Sequence, residues 1–498
     1  MNKHQERWET ENQEIKSKLA VLERKFGKKP NIIYILGDDI GWGELGWQGG
    51  GKVLGQPTPN LDKMAYDGMR FWSAYAEPSC TPTRIALNTG RHPVRTGVNG
   101  VMWPGNTLGL PPEELTIASL LKKADYHTAM WGKWHLGDLR EHAPENRGFD
   151  YAYYGLYNGA PFMWADAFEM YQGEKVGGPA YAWDFPGEKA YREEFGEKYR
   201  LRGFLRGEAG KGRKEVAPIN GKTMDEFEDE SIDELIAWIN EKSKSDKPFF
   251  AYWATYAHQS AGSPSDTRFD KGVDYVNNNA VQLAKHDKHV GKLLAHLERT
   301  GIAENTLVVW YSDNGPMYGF YPNTNYSWLK GGKSTVWEGG IRVPAMVWWP
   351  GIIKPGQDPM DIIHVTDLFT TAANLAGVIG EIPGDRVIDG IDQTALLLNG
   401  EGYGRRFYMF HYEGQKLGAV RINSKMKAIL HEFTGGGVPQ MDIYNILRDP
   451  GEKFGEVFPH VWIFAPMQDM MGAHMGMIRK FPHRVNKWKR YEEIEDPY

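Results

Sequence analysis

The 498-residue chain reads as an α/β protein: a large, mostly parallel mixed sheet flanked by helices on both faces, with a small antiparallel sheet toward the C-terminal end. Three observations predict it. Short, wholly apolar runs alternate with helical patterns; several of those runs stop abruptly in acidic or glycine-containing turns; and past Asp389 the helical spacing gives way to closely set strand-like segments.

The elements follow in order. Trp8, Asn12, Ile15, Leu19, Leu22 and Phe26 recur at alternating spacings of four and three, with charges between them and Gly27 as the stop, so residues 1–29 form an amphipathic helical extension. A few heptads favour packing onto the body of the protein over an independent coiled coil, with a contact between subunits as the alternative. After Pro30, the run Asn31-Ile32-Ile33-Tyr34-Ile35-Leu36 has a buried-strand pattern that ends in Gly37-Asp38-Asp39. Similar runs occupy Tyr126 to Trp131, Pro248 to Thr255, Thr306 to Ser312 and Pro344 to Trp349. Helical patterns lie between them at Leu61 to Met69, Glu114 to Lys123, Glu226 to Lys242 and Asp274 to Arg299. Such alternation implies parallel strands covered on both faces, with ligands beyond the strands' carboxyl ends.

This unit is expected over residues 30–388. Inside it, Tyr151 to Lys222 loses periodicity and is expected to be an irregular insertion that shapes a substrate pocket or a subunit contact. Residues 389–498 form the C-terminal part, where Arg405 to Tyr412, Gly418 to Asn423, Met426 to His431 and Met441 to Asn445 read as short antiparallel strands. The Met-rich, basic stretch from Val461 to Tyr498 carries no functional signal.

Composition excludes several classes. With 58 basic and 64 acidic residues the formal charge is −6, without the basic excess of a nucleic-acid binder. No apolar run is long enough to cross a bilayer, so no membrane partner is expected. Met1 to Thr10 is polar and charged, unlike a secretory signal peptide, and the cytoplasm is the expected compartment. A single cysteine rules out an intrachain disulfide.

That cysteine opens the run Cys80-Thr81-Pro82-Thr83-Arg84, followed by Asn88-Thr89-Gly90-Arg91. A lone cysteine is ordinarily a small buried hydrophobe. Here Pro82 suits the first turn of a helix and Thr81 offers a capping oxygen, so Cys80 is expected just before a helix N-terminus, where an anion is favoured. Arg84, about one turn on, can reach the same place. Asp38-Asp39 and Asp313-Asn314 end two buried strands that are distant in sequence. Each pair alone would be a turn or a cap; converging, three carboxylates and an amide suit a hard cation, Ca²⁺ or Mg²⁺, better than zinc. In Gly132-Lys133-Trp134-His135, the lysine and histidine stand two apart and share one side of an extended chain, facing one anion.

These runs, with Lys330-Gly331-Gly332-Lys333 and Glu338-Gly339-Gly340-Ile341-Arg342, resemble the signatures of the sulfatase family over roughly residues 30–450. The resemblance implies that Cys80 is oxidised to formylglycine by a maturation enzyme, and that its hydrated aldehyde attacks the sulfur of a sulfate ester. It further implies a calcium ion, with magnesium as the alternative, held by Asp38, Asp39, Asp313, Asn314 and the modified Cys80. Arg84 and Lys133 would hold the nucleophile, His135 would take a proton, Lys333 would bind sulfate oxygens, and His258 would protonate the leaving oxygen. The substrate would be a sulfated small molecule or glycan; homo-oligomers remain open.

Three positions depart from the family pattern. Asp125 stands where glycine is usual, Asn88 where an apolar residue is usual, and His258 is followed by Gln259-Ser260-Ala261 rather than by a nearby proline. His286 and His289 are alternatives to His258, although a helical pattern holds them. A phosphonate monoester or phosphodiester hydrolase of the same fold is the rival activity. Its metal pairs tend to carry glutamine and histidine where this chain has Asp39 and Asn314, which favours sulfate. A noncatalytic anion- or glycan-binding protein is the remote alternative.

Overall fold

A computed structural model describes residues 4–102, 107–157, 203–218, 221–256, 278–318, 326–431, 441–455 and 457–486. Its main sheet is built on Asn31–Gly37 (β1), whose residues are all buried. The other strands, in chain order, are Met69–Phe71 (β2), Ala74–Tyr75 (β3), His127–Lys133 (β4), Tyr151–Gly155 (β5), Phe204–Glu208 (β6), Gly212–Ala217 (β7), Phe249–Ala254 (β8), Thr306–Ser312 (β9), Ala345–Trp348 (β10) and Ile363–His364 (β11). Nine of them form one sheet in the order β2-β10-β9-β1-β8-β4-β5-β6-β7. From β9 to β5 the neighbours run parallel, while both flanks are antiparallel.

The central strands bury both faces because helices cover them. Pro59–Tyr66 (α2), Gly221–Lys242 and Asn278–Arg299 pack against the sheet and one another. Each fully buried Ile, Leu or Val contributes roughly 1.5–3 kcal/mol, and β1 alone buries Ile32, Ile33, Ile35 and Leu36 at 1% exposure or less. The N-terminal helix Gln5–Phe26 (α1) ends at Gly27 with φ 72°, the left-handed conformation that a glycine stop supplies. It lies on the body of the protein: Ile15 is buried, Leu19 and Leu22 pack on the main core, and Arg405 pairs with Glu11.

The C-terminal sheet is antiparallel in chain order: Tyr408–Glu413 (β12), Lys416–Ile422 (β13), Met426–Leu430 (β14) and Met441–Asn445 (β15). The tail contributes a helix, Phe464–Lys480, whose Met467 packs on Phe410, Val420 and Ile443 of this sheet.

The expected irregular insertion at 151–222 is corrected at both ends. Tyr151–Gly155 and the hairpin Phe204–Ala217 extend the main sheet, and a helix begins at Gly221. Tyrosine-rich Tyr151-Ala152-Tyr153-Tyr154 lacks the aliphatic signature of the central strands, yet aromatic residues suit a strand near a sheet edge. Residues 158–202 lie outside the described residues.

Candidate active site

The site starts from strand register. Gly37 of β1 sits opposite Ser312 of β9, so Asp38 and Asp313 leave adjacent parallel strands at the same level. The Asp313 amide still donates to Gly37 O at 3.0 Å. On the other side of β1, Leu36 pairs with Ala254 and Ala254 with Gly132, which delivers Lys133 to the same edge. Gly132 is required there: its φ is 102°, and a Cβ would lie 1.8 Å from Ala254 O.

Cys80–Thr89 (α3) runs into this edge with every residue buried. Cys80 is the first helical residue, not the one before it. Ser79 takes the N-cap position without a side-chain cap, and Thr81 Oγ1 accepts from the Met102 amide at 3.2 Å instead of capping. The exposed amides of this first turn lie beside the thiol. Arg84, one turn on, donates to Lys133 O at 2.7 Å and to Asp313 Oδ2 at 3.0 Å, with Asp38 Oδ2 at 3.7 Å.

Lys133 Nζ donates to Asp38 Oδ2 at 2.7 Å, and Lys333 Nζ to Asp39 Oδ1 at 2.5 Å. The loop carrying Lys333 is fixed on both sides, because the Lys333 amide donates to Pro316 O and the Ser334 amide to Pro78 O. Burial would depress Lys333, but the charges of Asp39, then Cys80, Asp38 and Asp313, raise it, so it stays cationic. Burial pushes Asp38 up, yet Lys133, Arg84 and Lys333 hold it below the usual carboxylate range. Asp313 goes the other way: burial raises it and the negative charge of Asp38 adds to that. His135 is driven well down by burial and by Lys133, so its ring is neutral. Its Nε2 lies 2.9 Å from the Met102 carbonyl, which can only accept; the proton therefore sits on Nε2 and Nδ1 keeps a lone pair. Nδ1 is buried with no hydrogen-bond partner among the described residues.

The cluster fits a divalent cation. Oxygens of Asp38, Asp39 and Asp313 all lie within 4.8 Å of one another. Asn314 uses Nδ2 on Asp39 Oδ1 at 2.6 Å and on Gly315 O at 2.8 Å. Its Oδ1, like Asp38 Oδ1, is buried with no hydrogen-bond partner among the described residues. Buried acceptors left so cost about 1–3 kcal/mol each, and a hard cation bound by oxygens removes that cost. Gly315 closes the turn: its amide donates to Gly340 O, and a Cβ there would lie 1.7 Å from Gly339 O.

Of the residues expected from the sequence, Cys80, Arg84, Lys133, His135, Lys333, Asp38, Asp39, Asp313 and Asn314 come together here. His258 lies outside the described residues, although β8 ends at the same sheet edge. The alternatives are placed elsewhere: His286 accepts from Trp310 Nε1 at 2.9 Å inside the helix–sheet interface, and His289 pairs with Asp229. Sequence reasoning missed Thr83, whose hydroxyl donates to Asp313 O at 2.5 Å, and Tyr252, whose buried hydroxyl lies against Arg84 and is pushed up to about 12 by that burial. Thr83 lies inside the cysteine motif, so its place was available; Tyr252 carries no local signal in an apolar strand.

Together, a cysteine at a helix start, flanking cations and a carboxylate cluster at the sheet edge define an anion-processing hydrolase site. A family model for sulfatases matches residues 30–378. The chain is 34% identical to the N-acetylgalactosamine-6-sulfatase of Mus musculus, covering 88% of this chain and 84% of that protein. It is 30% identical to an arylsulfatase of Hemicentrotus pulcherrimus, with 91% and 82% covered. Among solved structures, the PsFucS1 sulfatase from Pseudoalteromonas sp. superposes with a TM-score of 0.84 at 30% identity, covering 96% of both chains. The chain belongs to the sulfatase family and is a sulfate-ester hydrolase; the family's chemistry uses a metal ion and a formylglycine.

Proposed function

We propose that the chain cleaves a sulfate monoester carried on a saccharide, with Cys80 converted to formylglycine by a maturation enzyme and a calcium ion held by Asp38, Asp39, Asp313, Asn314 and the converted Cys80. The observation that carries this reading is the charge balance around Cys80. Three carboxylates face three cations, Arg84, Lys133 and Lys333, so the cluster is close to neutral by itself. One divalent ion tips it positive, which favours a deprotonated nucleophile and an anionic substrate. The hydrated aldehyde would supply that nucleophile and, by reforming its carbonyl, let sulfate leave.

The chain's own groups divide the remaining work. Lys133 and Arg84 are fixed positive charges that hold and orient the hydroxyls at position 80, and Lys333 neutralises sulfate oxygens as charge builds on them. Asp313 takes the proton of the attacking hydroxyl. His135, neutral and with a lone pair on its buried Nδ1, takes the later proton when sulfate is expelled. His258 is the donor to the leaving oxygen.

The saccharide assignment rests on the name of the rodent relative and on a cavity of about 230 Å³ beside α3. Ser79, Asn99, Ser334, Tyr412 and Glu413 line it, a mixture of hydroxyl, amide, carboxylate and ring that suits a hydroxylated ligand. The test is sulfate release from N-acetylgalactosamine 6-sulfate, an aryl sulfate, a steryl sulfate and an aryl phosphonate, compared as kcat/KM. A sulfated sugar should lead; a lead for the steryl sulfate would overturn the substrate class, and a lead for the phosphonate would overturn the bond cleaved.

A further inference from the structure

Glu77, His92 and His364 come from three separate segments: the loop before α3, the residue that opens the short helix Pro93–Thr96, and β11. All three are buried, at 1%, 4% and 1% exposure. One ligand atom from each lies within 4.8 Å of the other two. His92 Nδ1 is 2.7 Å from Glu77 Oε1, His364 Nε2 is 4.0 Å from the same oxygen, and the two ring centres are 5.3 Å apart. We propose that these three side chains form a second cation site, distinct from the Asp38–Asp313 cluster, and that it takes a zinc ion.

An ion pair between His92 and Glu77 explains only half of the arrangement. His364 Nε2 is buried and forms no hydrogen bond among the described residues, although the Ala76 carbonyl lies near enough to favour the protonated ring slightly. Burial, followed by the charge on His92, nevertheless drives His364 well below its usual range, so the ring is neutral. Its other nitrogen, Nδ1, lies 2.9 Å from Thr366 Oγ1. The Thr366 amide donates to the same nitrogen at 3.3 Å and Thr366 Oγ1 accepts from Arg406 Nη2 at 3.4 Å, so Nδ1 accepts and the ring proton stands on Nε2 facing Glu77. A zinc ion at Nε2 would take the place of that proton, which would shift to Nδ1 beside the Thr366 hydroxyl, the second-layer arrangement that orients metal-bound imidazoles.

The donor set differs in kind from the first site. Two imidazoles and one carboxylate suit zinc, whereas four oxygen-bearing side chains suit calcium. Zinc–ligand bonds of about 2.0–2.1 Å in a tetrahedron put ligand atoms about 3.3 Å apart. The distances of 2.7 and 4.0 Å lie on either side of that value, so small side-chain rotations complete the geometry. The fourth direction has a candidate in His411 of β12, buried at 1% exposure, with Nε2 likewise lacking a hydrogen-bond partner among the described residues and its ring 6.4 Å from that of His364. An ion held this way would fasten the C-terminal sheet to the loop that leads into Cys80.

The test uses the full chain in a Cys80→Ala background, which removes the thiol as a competing ligand. After stripping with a chelator, Co²⁺ is added and the visible spectrum recorded. Intense tetrahedral bands at one equivalent are expected, with loss of most of the intensity in His364→Gln and in His92→Gln, and no loss in Asp38→Asn. Zinc added in place of Co²⁺ should be retained through dialysis at one equivalent and raise the Tm. Should a histidine variant not fold, zinc-edge X-ray absorption of the parent chain gives the second readout, with imidazole scattering expected in the metal shell. No tetrahedral bands, bands that persist in both histidine variants, or a shell without imidazole would overturn the proposal and leave the cluster a hydrogen-bonded ion pair.

Discussion

Lys333, in a loop, and Glu338, which opens the short helix Glu338–Ile341 after it, enter two buried charge clusters that differ in how completely their oxygens are used. Around Glu338 the accounting closes for its own two oxygens, while Glu452 Oε1 is held by charge alone, as an ion pair with Lys427. Oε1 accepts from Arg421 at 2.8 Å and Lys427 at 3.1 Å, Oε2 accepts from Tyr75 at 2.8 Å, and Lys427 reaches Glu452 at 2.8 Å. The Glu338 amide donates to Glu452 Oε2 at 2.7 Å. Around Lys333 it does not close, because Asp38 Oδ1 and Asn314 Oδ1 are left over. Both clusters are buried and both tie distant segments together. The satisfied one joins the C-terminal sheet to the main domain; the unsatisfied one is shaped for something that is not protein.

The largest expected effect tests the unsatisfied cluster. Cys80→Ala should lower sulfate-ester hydrolysis by about 10⁴-fold or more while leaving the urea midpoint within error, since a buried thiol is replaced by a small apolar group. Retained turnover would remove Cys80 from the chemistry. Asn314→Ala comes next. Activity should fall on the order of 10²–10³-fold, metal-free stability should fall by about 1–3 kcal/mol as the two buried Nδ2 hydrogen bonds are lost, and the increase in Tm on adding Ca²⁺ should shrink. An unchanged response to Ca²⁺ would mean that the amide oxygen is not a ligand.

The mirror experiment is Glu338→Gln. Removing the carboxylate leaves Arg421 and Lys427 buried beside an uncharged amide, at a cost of about 3–5 kcal/mol, read by urea denaturation. Turnover of the folded protein at low temperature should stay within about twofold of the parent. If stability held and turnover collapsed, the distinction between the clusters would fail. The pH response follows from the same pairings. Burial raises Glu338, but Arg421, Lys427 and Arg342 outweigh it and hold the group below its usual 4.5. A depressed carboxylate contributes its full stability above that ordinary value and loses it as pH falls toward the folded-state value. The Tm of the parent should therefore drop below about pH 4.5, and Glu338→Gln should flatten that limb.

Much of this was legible because the chemistry sits at strand ends. A buried apolar run followed by Asp38-Asp39 or Asp313-Asn314 announces both a strand and what hangs from its carboxyl end, and Gly132-Lys133-Trp134-His135 does the same for β4. The C-terminal strands could be read from alternation and turns. What escaped depends on pairings that no local pattern carries. Tyr252 is one tyrosine in an apolar strand, and its hydroxyl matters only because Arg84 arrives from another element. Glu77, His92 and His364 belong to no common spacing and meet only after folding. The position of Cys80 within the first turn, with Thr81 bound to Met102, depends on a loop that approaches from beyond the helix. β5 was hidden because its buried run is built on tyrosines, and β6 and β7 because strands toward a partly exposed sheet edge do not need continuous aliphatic runs.

The smallest predicted effect carries the comparison from charge to backbone. Asp39, His135 and Asp125 all adopt left-handed φ values, 61°, 59° and 61°. The first two lie in the site, where neighbours over-determine the conformation; Asp125 lies in an exposed turn before β4, where the family usually has glycine. Its side chain is 77% exposed and its pair with Lys247, itself 48% exposed, contributes little in water. Asp125→Gly should therefore relieve left-handed strain and stabilise the chain by about 0.5–1 kcal/mol, read as a higher urea midpoint with unchanged turnover. His135→Gly relaxes the same dihedral and should instead abolish the late proton transfer, lowering kcat by about 10²–10⁴-fold. A fall in stability for Asp125→Gly would show that its exposed ion pair or its turn hydrogen bonds outweigh the strain; equal turnover for His135→Gly would show that the strained histidine is structural.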